Sequence, residues 1–586
     1  MVMKALAYLN KYLFNYKYRL VLGIFFVVIT NLFAIIPAQI VREALDYIQK
    51  NSLLHQNAPI KLFDFTILKF GLLILSMALL KGLFLFFTRQ TIIVMSRLIE
   101  FDLKNDIYQH YQTLPLSFYR QNNTGDLMAR ISEDVGKVRM YLGPAIMYGI
   151  NLVVIAVLVI SYMFSVNATL ALYVLTPLPI LSLLIYWVSN TIEKRSTEIQ
   201  QKLSNLSTFT QEAFSGIRVL KAFVRENSSK AKMETEAEGY RAKQLALTKI
   251  QAVFQPLVLA MIGLSTILTV YIGGIQVSEG KITIGIIAEF IMYVYMLTWP
   301  VTSLGWTTSL VQRAAASQKR INEFLNTKST IVSKINLETP IQGSITFNKV
   351  SITYPDSGIQ AIKNISFQID AGKSLGILGT TGAGKSTIAS LINRMYDADQ
   401  GEIWIDGKDI KDFSPNHLRA NIGYVPQDVF LFSDTIQNNI AFGKNDITQE
   451  EIVSAAKKAD LYDNIMAFPQ QFETIVGERG ITLSGGQKQR VSIARALVVE
   501  PKILILDDAL SAVDTKTENT ILHSLQEVMK HRTSVIISHR VSSVKLCDKI
   551  IVLDKGEMLE TGTHEELIKA DGTYKKLYFQ QLESEV

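Results

Sequence analysis

The chain has 586 residues, of which 48% are hydrophobic and 19% are charged, and its formal net charge is +7. This length predicts more than one domain, and the hydrophobic fraction is high for a soluble protein, so membrane spans are expected. Basic residues that flank apolar spans on the cytoplasmic side explain the positive charge, and no nucleic-acid partner is expected. The single cysteine, Cys547, excludes an intrachain disulfide and a cysteine-only metal site.

Six apolar segments in the first half are long enough, at about 20 residues each, to cross a bilayer. They cover residues 20–40, 65–87, 142–164, 168–188, 254–277 and 283–304. The first is too long for a signal-peptide core and lacks a small-residue cleavage site, so it is expected to stay in the membrane. Tight turns join the third segment to the fourth and the fifth to the sixth. Long polar stretches separate the others and predict helices that continue far beyond the bilayer.

Basic residues place these helical extensions on the cytoplasmic side. They are Lys11, Lys17, Arg19, Arg89, Arg97, Lys194 and Arg195. Within the extensions, residues 114–135 and 211–226 each combine a glycine with apolar and charged residues. We expect a short transverse helix in each, presenting a mixed face to another domain, or alternatively an ordinary solvated helical hairpin.

Glu289 lies in the sixth apolar segment, where an ionisable group is costly unless it reaches water or a partner. Met292, Tyr293, Met296 and Trp299 follow it along the same helix. This mixture suits the lining of an amphipathic cavity, and simple packing or interfacial anchoring is the alternative.

The second half has a different pattern. Residues 326–342 form a polar linker, and a soluble domain begins near Gly343. Short β-rich runs at 374–378, 503–506, 534–537 and 550–553 alternate with helical stretches, which predicts a mainly parallel sheet with helices on its faces. Ligands of such sheets bind at the carboxyl ends of the strands.

Residues 379–387 read GTTGAGKST and form a phosphate-binding loop. Its glycines allow a tight fold in which consecutive amides point at phosphates, Lys385 can reach the β- and γ-phosphates, and the Ser386 hydroxyl can bind magnesium. The apolar run KILIL delivers Asp507, a second magnesium ligand, at a strand end. ATP and Mg²⁺ are therefore the expected cofactors. The predicted loop residues are Gly379, Thr380, Thr381, Gly382, Ala383, Gly384, Lys385, Ser386 and Thr387.

The motifs LSGGQ at 483–487, LILDD, SAVD and ISHR follow in one order. In these motifs nearly the whole chain resembles the ATP-binding cassette transporters, and specifically exporter-type half-transporters of the multidrug or lipid kind. The resemblance implies an all-α six-helix transmembrane domain over residues 1–325, with long cytoplasmic extensions. After the linker it implies an α/β P-loop nucleotide-binding domain over residues 343–586, with an inserted helical subdomain. Two such cassettes sandwich two ATP molecules in that family.

The resemblance also implies roles for single residues. Tyr354 would stack on adenine, Gln427 would sense magnesium and the attacking water, and His539 would hydrogen-bond the γ-phosphate. The signature would bind the γ-phosphate held by the partner subunit through Ser484, Gly485, Gly486 and Gln487. Asp514 belongs to the segment that links the two sites, and Glu478 lies where the cassette meets the intracellular helices. The two mixed-face segments would be coupling helices.

One departure from the family pattern concerns the general base. The family usually has aspartate then glutamate after the strand, whereas this chain has Asp507 then Asp508. Aspartate is one methylene shorter, so its reach to the attacking water is shorter and slow hydrolysis is expected at this site. Such a site occurs in asymmetric heterodimers of the family, while the intact signature and His539 leave a homodimer open.

The expected function is ATP-driven export or flipping of a hydrophobic or amphipathic substrate, such as a lipid or drug, by a dimer of half-transporters that works by alternating access. The chain is expected to be multi-pass in a bacterial inner membrane, in contact with membrane lipids, with a cytoplasmic N-terminus and nucleotide-binding domain. The alternatives are a slowly hydrolysing subunit of a heterodimer and a nucleotide-gated regulatory membrane protein. The six apolar segments disfavour an importer cassette or a nucleic-acid ATPase.

Overall fold

The computed structural model describes residues 2–54, 65–444, 446–477, 480, 483–509, 521, 523 and 526–585. It consists of a helical unit, Met1–Gln112 with Gly125–Thr327, and an α/β unit, Thr113–Thr124 with Lys328–Val586. Two residues singled out from the sequence, Glu478 and Asp514, lie outside the described residues.

The helical unit is built from long helices. Its helices are α1 (Val2–Leu6), α2 (Asn10–Asn15), α3 (Lys17–Leu54), α4 (Phe65–Thr88), α5 (Val94–Thr113), α7 (Thr124–Ala129), α8 (Val135–Met140), α9 (Ile146–Val166), α10 (Ala168–Leu175), α11 (Pro177–Ser215), α12 (Ile217–Ala222), α13 (Glu226–Ser278) and α14 (Ile284–Leu325). The short helix between α5 and α7, α6 (Leu116–Gln121), belongs to the α/β unit.

The predicted membrane spans are confirmed. Within the described residues, six helical runs are long and apolar enough to cross a membrane: Lys17–Asn51, Phe65–Thr113, Thr124–Val166, Ala168–Ser215, Glu226–Ser278 and Ile284–Leu325. Each run extends beyond its apolar segment, as the polar helix-favouring stretches predict. In one such extension, Lys243 on α13 forms an ion pair of 2.7 Å with Glu198 on α11, which ties the two helices together.

The turns between spans are as tight as predicted. Asn167 lies between α9 and α10, and its side chain accepts a hydrogen bond from the backbone N–H of Leu170. This N-cap satisfies one of the free amides that begin a helix, so α10 starts directly where α9 ends. Between α13 and α14, Gly280 has a φ of +71°, a left-handed conformation that glycine adopts without steric cost.

The side chain of Glu289 is fully buried. Its carboxylate forms an ion pair of 3.0 Å with Arg42 of α3 and accepts a hydrogen bond of 2.8 Å from Tyr293, one turn along α14. Gly285 lies against the same stretch of α3, where an added Cβ would come within 2.5 Å of the Arg42 carbonyl oxygen. Glu289 therefore joins two spans at a close helix contact and does not line an open cavity.

The α/β unit contains two sheets. Its strands are β1 (Ile345–Thr353), β2 (Gln360–Ile369), β3 (Ser374–Gly379), β4 (Gln400–Ile405), β5 (Lys408–Asp409), β6 (Ile422–Val425), β7 (Ile503–Asp507), β8 (Thr533–Ser538), β9 (Lys549–Asp554) and β10 (Glu557–Gly562). One sheet has the order β2-β1-β4-β5 and is antiparallel. The other has the order β10-β9-β3-β8-β7-β6, and all its neighbours are parallel except β10 and β9.

The other helices of the α/β unit alternate with these strands along the chain. They are α15 (Lys385–Ile392), α16 (Pro415–Ala420), α17 (Ile436–Ala441), α18 (Gln449–Lys458), α19 (Tyr462–Met466), α20 (Gly485–Leu497), α21 (Val541–Val544), α22 (His564–Lys569) and α23 (Thr573–Glu585). Helices α17 to α20 are inserted between β6 and β7, which confirms the predicted helical subdomain.

Both faces of the parallel strands are buried, and two hydrophobic cores result. Leu504 and Leu506 of β7 pack into one core, while Ile503 and Ile505 pack into the other. A strand buried on both faces has a continuous apolar sequence, because neither set of alternating side chains reaches water. The run KILIL has this pattern and ends at the buried Asp507.

Candidate functional site

Four parallel strands end at the same edge of the larger sheet. The register pairs Val425 with Leu506, Asp507 with Ile537 and Leu378 with Ser538. Because neighbouring parallel strands end side by side, the residues that follow them lie at one edge. The sequence-predicted residues brought to this edge are the phosphate loop after β3, Gln427 after β6, Asp507 and Asp508 at the end of β7, and His539 after β8.

The phosphate loop connects β3 to α15. Gly384 caps α15 with a φ of +95°, and an added Cβ there would come within 2.4 Å of the Ala361 carbonyl oxygen, so only glycine fits. The Lys385 ammonium donates hydrogen bonds to the carbonyl oxygens of Gly379 (2.8 Å) and Thr380 (2.9 Å). Burial lowers the pKa of Lys385. The lysine thus lies inside the loop, at the start of a helix whose free amides favour an anion.

Asp507 and Ser386 are in direct contact. The Ser386 hydroxyl donates a hydrogen bond of 2.9 Å to a carboxylate oxygen of Asp507, which is only 2% exposed. Burial, together with the neighbouring negative charge of Asp508, raises the pKa of Asp507 to about 6. A hydroxyl and a carboxylate side by side are hard oxygen ligands, so these residues fit Mg²⁺. Gln427 is exposed and carries a third side-chain oxygen at the same edge.

Asp508 and His539 form a pair. The Nδ1 atom of His539 lies 2.9 Å and 3.1 Å from the two carboxylate oxygens of Asp508. Asp508 adopts a φ of +49° directly after β7, and its backbone N–H donates to the carbonyl oxygen of Ile537. The aspartate predicted as general base and the histidine predicted to contact the γ-phosphate are therefore joined to each other.

Tyr354 lies beside the first turn of α15. Its hydroxyl is 2.9 Å from the hydroxyl of Thr387, the last residue of the predicted phosphate loop. Its ring meets the ring of Tyr396 edge to face, with 5.2 Å between centroids. An aromatic ring at the edge of the phosphate loop can stack on the base of a nucleotide whose phosphates occupy that loop.

The signature residues begin another helix, α20. The Ser484 side chain accepts a hydrogen bond from the backbone N–H of Gln487, and the Gln487 side chain accepts one from the backbone N–H of Ser484. This capping box leaves the amides of Gly485 and Gly486 at the free helix end. In the part of the chain that the structure describes, no hydrogen bond or ion pair connects these residues to the phosphate loop.

Sequence reasoning missed three residues at this edge. Tyr424 of β6 interacts with the Asp507 carboxylate. Burial is the main cause that raises the pKa of Tyr424, and the negative charge of Asp507 is the second. Tyr396 packs on Tyr354, and Arg120 of α6 lies over both rings. The position of Tyr424 three residues before Gln427 is a signal in the sequence. No local pattern points to the other two, because their contacts join distant parts of the chain.

A separate cavity lies in the helical unit between α11 and α14, with a volume of about 810 Å³. Its lining is polar and aromatic for a membrane helix pair, and includes Ser189, Asn190, Glu193, Trp306, Gln312 and Arg313. Gly305 allows the two helices to approach, since an added Cβ would come within 2.5 Å of the Ser189 hydroxyl. The lining begins at the ends of the apolar segments 168–188 and 283–304 and continues beyond them.

Two family models match the chain. The model for the ABC transporter transmembrane region matches residues 20–301, and the ABC transporter model matches residues 362–511. The matches fall on the apolar helices and on the larger sheet with its phosphate loop.

Several known proteins are similar over most of their length. The multidrug resistance-like ATP-binding protein MdlA of Escherichia coli (strain K12) is 37% identical over 486 residues, 82% of each chain. The ATP-dependent lipid A-core flippase of Desulfotalea psychrophila is 33% identical over 571 residues, 97% of each chain. The solved structure of a bacterial Atm1-family ABC exporter with ATP bound superimposes with a TM-score of 0.78 at 28% identity, covering 96% of this chain and 99% of that one.

Proposed function

Because the chain belongs to the ABC transporter family, as an exporter-type half-transporter, we propose that it uses ATP to export or flip a hydrophobic or amphipathic substrate across the membrane. The single observation that carries this proposal is the sheet edge at which the phosphate loop, Asp507, Asp508 and His539 come together in the same chain as six membrane-spanning helices. The working unit is a dimer, formed with a second copy or with a related half-transporter.

The residues at the sheet edge have different roles in binding and hydrolysing ATP. Residues 379–387 hold the phosphates through backbone amides and Lys385. Ser386, Asp507 and Gln427 would hold Mg²⁺, which neutralises charge on the β- and γ-phosphates when it is bound. Asp508 accepts the proton of the attacking water, and His539 donates to the γ-phosphate. Tyr354 stacks on the adenine.

Two features support a dimer. The amides of Gly485 and Gly486 lie at the free end of the 13-residue helix α20, where they favour a phosphate supplied by another subunit. Around α12, large apolar side chains are exposed, with Phe223 at 73% and Val224 at 82%. An apolar patch of this kind on a helix extension outside the bilayer is expected to be covered by a partner.

The cavity between α11 and α14 supports an amphipathic substrate. Trp306 and Tyr186 offer aromatic surface, while Ser189, Asn190 and Gln312 offer hydrogen-bonding groups. A molecule with an apolar body and a polar head matches both parts of this lining. Closure of the cassettes on ATP then turns the cavity from the cytoplasmic to the outer side of a bacterial inner membrane.

The proposal is tested with the full-length protein reconstituted in liposomes. We expect a fluorescent lipid or an amphipathic drug to stimulate ATPase activity saturably and to move across the bilayer only when ATP is present. Lys385→Ala is the matched control and abolishes both activities, since the phosphates lose their cation. The compounds tested are lipids, amphipathic drugs and peptides. If none of them stimulated the ATPase activity, the result would contradict export.

Magnesium dependence should follow the protonation of Asp507. Its pKa is raised to about 6, so the carboxylate is mostly ionised and able to bind Mg²⁺ at pH 7.5, is about half protonated at pH 6 and is increasingly protonated below that pH. Because a proton and Mg²⁺ compete for the same oxygens, the apparent Mg²⁺ affinity in the presence of ATP should fall about tenfold per pH unit below pH 6.

Titration of Mg²⁺ at several pH values, read as ATP binding to the purified protein, measures this effect. Asp507→Asn is the control for protonation of the ATP phosphates, because the variant has no carboxylate at position 507 to protonate. Equal pH profiles for the variant and the unmodified protein would show that Asp507 is not the titrating ligand.

A second candidate function is favoured by Asp508. The short side chain and its pairing with His539 suit a slowly hydrolysing subunit of a heterodimer, in which the competent site combines a partner's glutamate with this chain's signature. Co-purification of a related half-transporter with an Asp-Glu strand end, and faster hydrolysis by the pair than by this chain alone, would support this candidate.

A further inference from the structure

The short helix α6 belongs to the α/β unit, although the chain on both sides of it belongs to the helical unit. The chain leaves the helical unit after Gln112 and returns to it at Gly125. The two flanking helical runs, Phe65–Thr113 and Thr124–Val166, are the second and third membrane spans. A displacement of α6 is therefore transmitted to two spans through the covalent chain.

Arg120, in the last turn of α6, contacts two aromatic rings of the α/β unit. Its guanidinium carbon lies 5.4 Å from the ring centroid of Tyr354 and 5.7 Å from that of Tyr396. A cation within about 6 Å of an aromatic centroid is attracted by the negative charge of the ring face. Among the described residues, no carboxylate forms an ion pair with Arg120, so the two rings are the main partners of its charge.

The orientation of Tyr354 is set by three contacts. Thr387 holds its hydroxyl, Tyr396 packs against its ring, and Arg120 lies over the ring. Tyr396 is itself buried and provides a fixed support. A ring that stacks on a base must present its face at one angle, and a tyrosine without these contacts would lose that angle among its rotamers.

We propose that Arg120 is a positioning residue for the nucleobase, which holds the Tyr354 ring in the orientation that stacks on adenine. The inference rests on the proposed function, in which Tyr354 receives the adenine. Because coupling between two binding events is reciprocal, adenine on Tyr354 strengthens the attachment of α6 to the α/β unit by the same factor. The base, and not only the phosphates, then contributes to holding the helix that connects two membrane spans.

The test measures ATP binding to the full-length protein, with inorganic tripolyphosphate as a second probe. Arg120→Ala should weaken ATP binding about twofold to fivefold, the range expected for loss of an exposed cation–π contact, and should leave tripolyphosphate binding unchanged. Arg120→Lys keeps the cation and should recover most of the affinity. Arg120→Gln keeps the length without the charge and should behave like the alanine variant.

Two further variants separate this role from a general structural one. Arg218 is the matched control, because it is an exposed arginine on α12, the short helix in the second mixed-face segment, residues 211–226. Arg218→Ala should leave the ATP affinity unchanged. In Tyr354→Ala, adding Arg120→Ala should cause no further loss, since the arginine acts through the tyrosine.

Equal loss of ATP and tripolyphosphate affinity in Arg120→Ala would overturn the inference, because it would indicate distortion of the phosphate loop. Unchanged ATP affinity in Arg120→Ala, with weaker binding in Tyr354→Ala, would overturn the inference and leave the proposed function intact. Unchanged affinity in Tyr354→Ala would overturn the adenine contact itself, on which the inference depends.

Discussion

Replacing Asp508 with glutamate is expected to raise the ATPase rate of the purified dimer by about tenfold or more, because it should restore part of the roughly 10²- to 10⁴-fold that general-base catalysis contributes. Glutamate carries its carboxylate about 1.5 Å further from the backbone than aspartate. In the structure the two oxygens of Asp508 lie 2.9 Å and 3.1 Å from His539, so they are held by the histidine at the strand end. The longer side chain can reach past this contact toward an attacking water.

Asp507→Glu provides the matched control for this experiment. It lengthens the neighbouring carboxylate by the same methylene but displaces a predicted Mg²⁺ ligand, so the rate should fall. Steady-state phosphate release at saturating ATP and Mg²⁺ measures both variants. An Asp508→Glu rate equal to that of the unmodified protein would show that the length of this side chain does not limit turnover.

Glu289→Ala is expected to destabilise the helical unit by about 1–3 kcal/mol, the cost of removing one hydrogen-bonded partner from a buried site, because the Arg42 side chain is 24% exposed and still reaches water. Glu289 is fully buried and holds Arg42 of α3 against α14. The variant removes the carboxylate that pairs with Arg42 and accepts from the Tyr293 hydroxyl, and it leaves Arg42 with a long contact of 3.5 Å to the Tyr162 hydroxyl. The thermal unfolding midpoint of the full chain in detergent should fall by several degrees.

The double variant Arg42→Met, Glu289→Leu should recover most of this loss, because it removes both charges and fills the site with apolar side chains of similar volume. Glu323→Ala on the same helix removes an exposed partner of Lys319 and should leave the midpoint unchanged. If Glu289→Ala and Glu323→Ala had the same midpoint, the buried pair would not hold α3 to α14.

These two experiments concern opposite kinds of charged group. The Asp508 carboxylate lies at a strand end, where its proposed role as general base depends on how far the side chain reaches, and its contact with His539 limits that reach. The Glu289 carboxylate is removed from solvent and serves packing between spans. The sequence suggested that Glu289 could line a cavity; in the structure its side chain is buried where α14 meets α3, and the cavity described above lies between α11 and α14.

Much of the architecture could be predicted from local sequence. The six spans follow from the length of the apolar runs, since about 20 such residues cross a bilayer whatever else the protein contains. The strands around Asp507 follow from continuous apolar runs that are buried on both faces. The phosphate loop follows from glycines whose backbone conformations no other residue adopts at low cost, with Gly384 as the clearest case.

The antiparallel sheet of β1, β2, β4 and β5 was only partly predicted. The sequence ITFNKVSITY at the start of the soluble domain is strand-like, and β1 lies there, but no sequence pattern assigns β2 and β4 as its partners. Strand pairing depends on register and burial between distant segments, and single-sequence patterns do not specify it.

The sequence by itself determined which chemistry we propose for the chain, because a glycine-rich loop, a lysine and a carboxylate at a strand end each indicate a role through their own local geometry. Only the tertiary structure decided which groups share a contact: Asp508 with His539, Arg42 with Glu289, and Arg120 with Tyr354. The members of these pairs are 31, 247 and 234 residues apart in sequence. The interaction energy of each pair arises only when folding brings its two members together out of bulk water. No local pattern of residues therefore predicts these contacts.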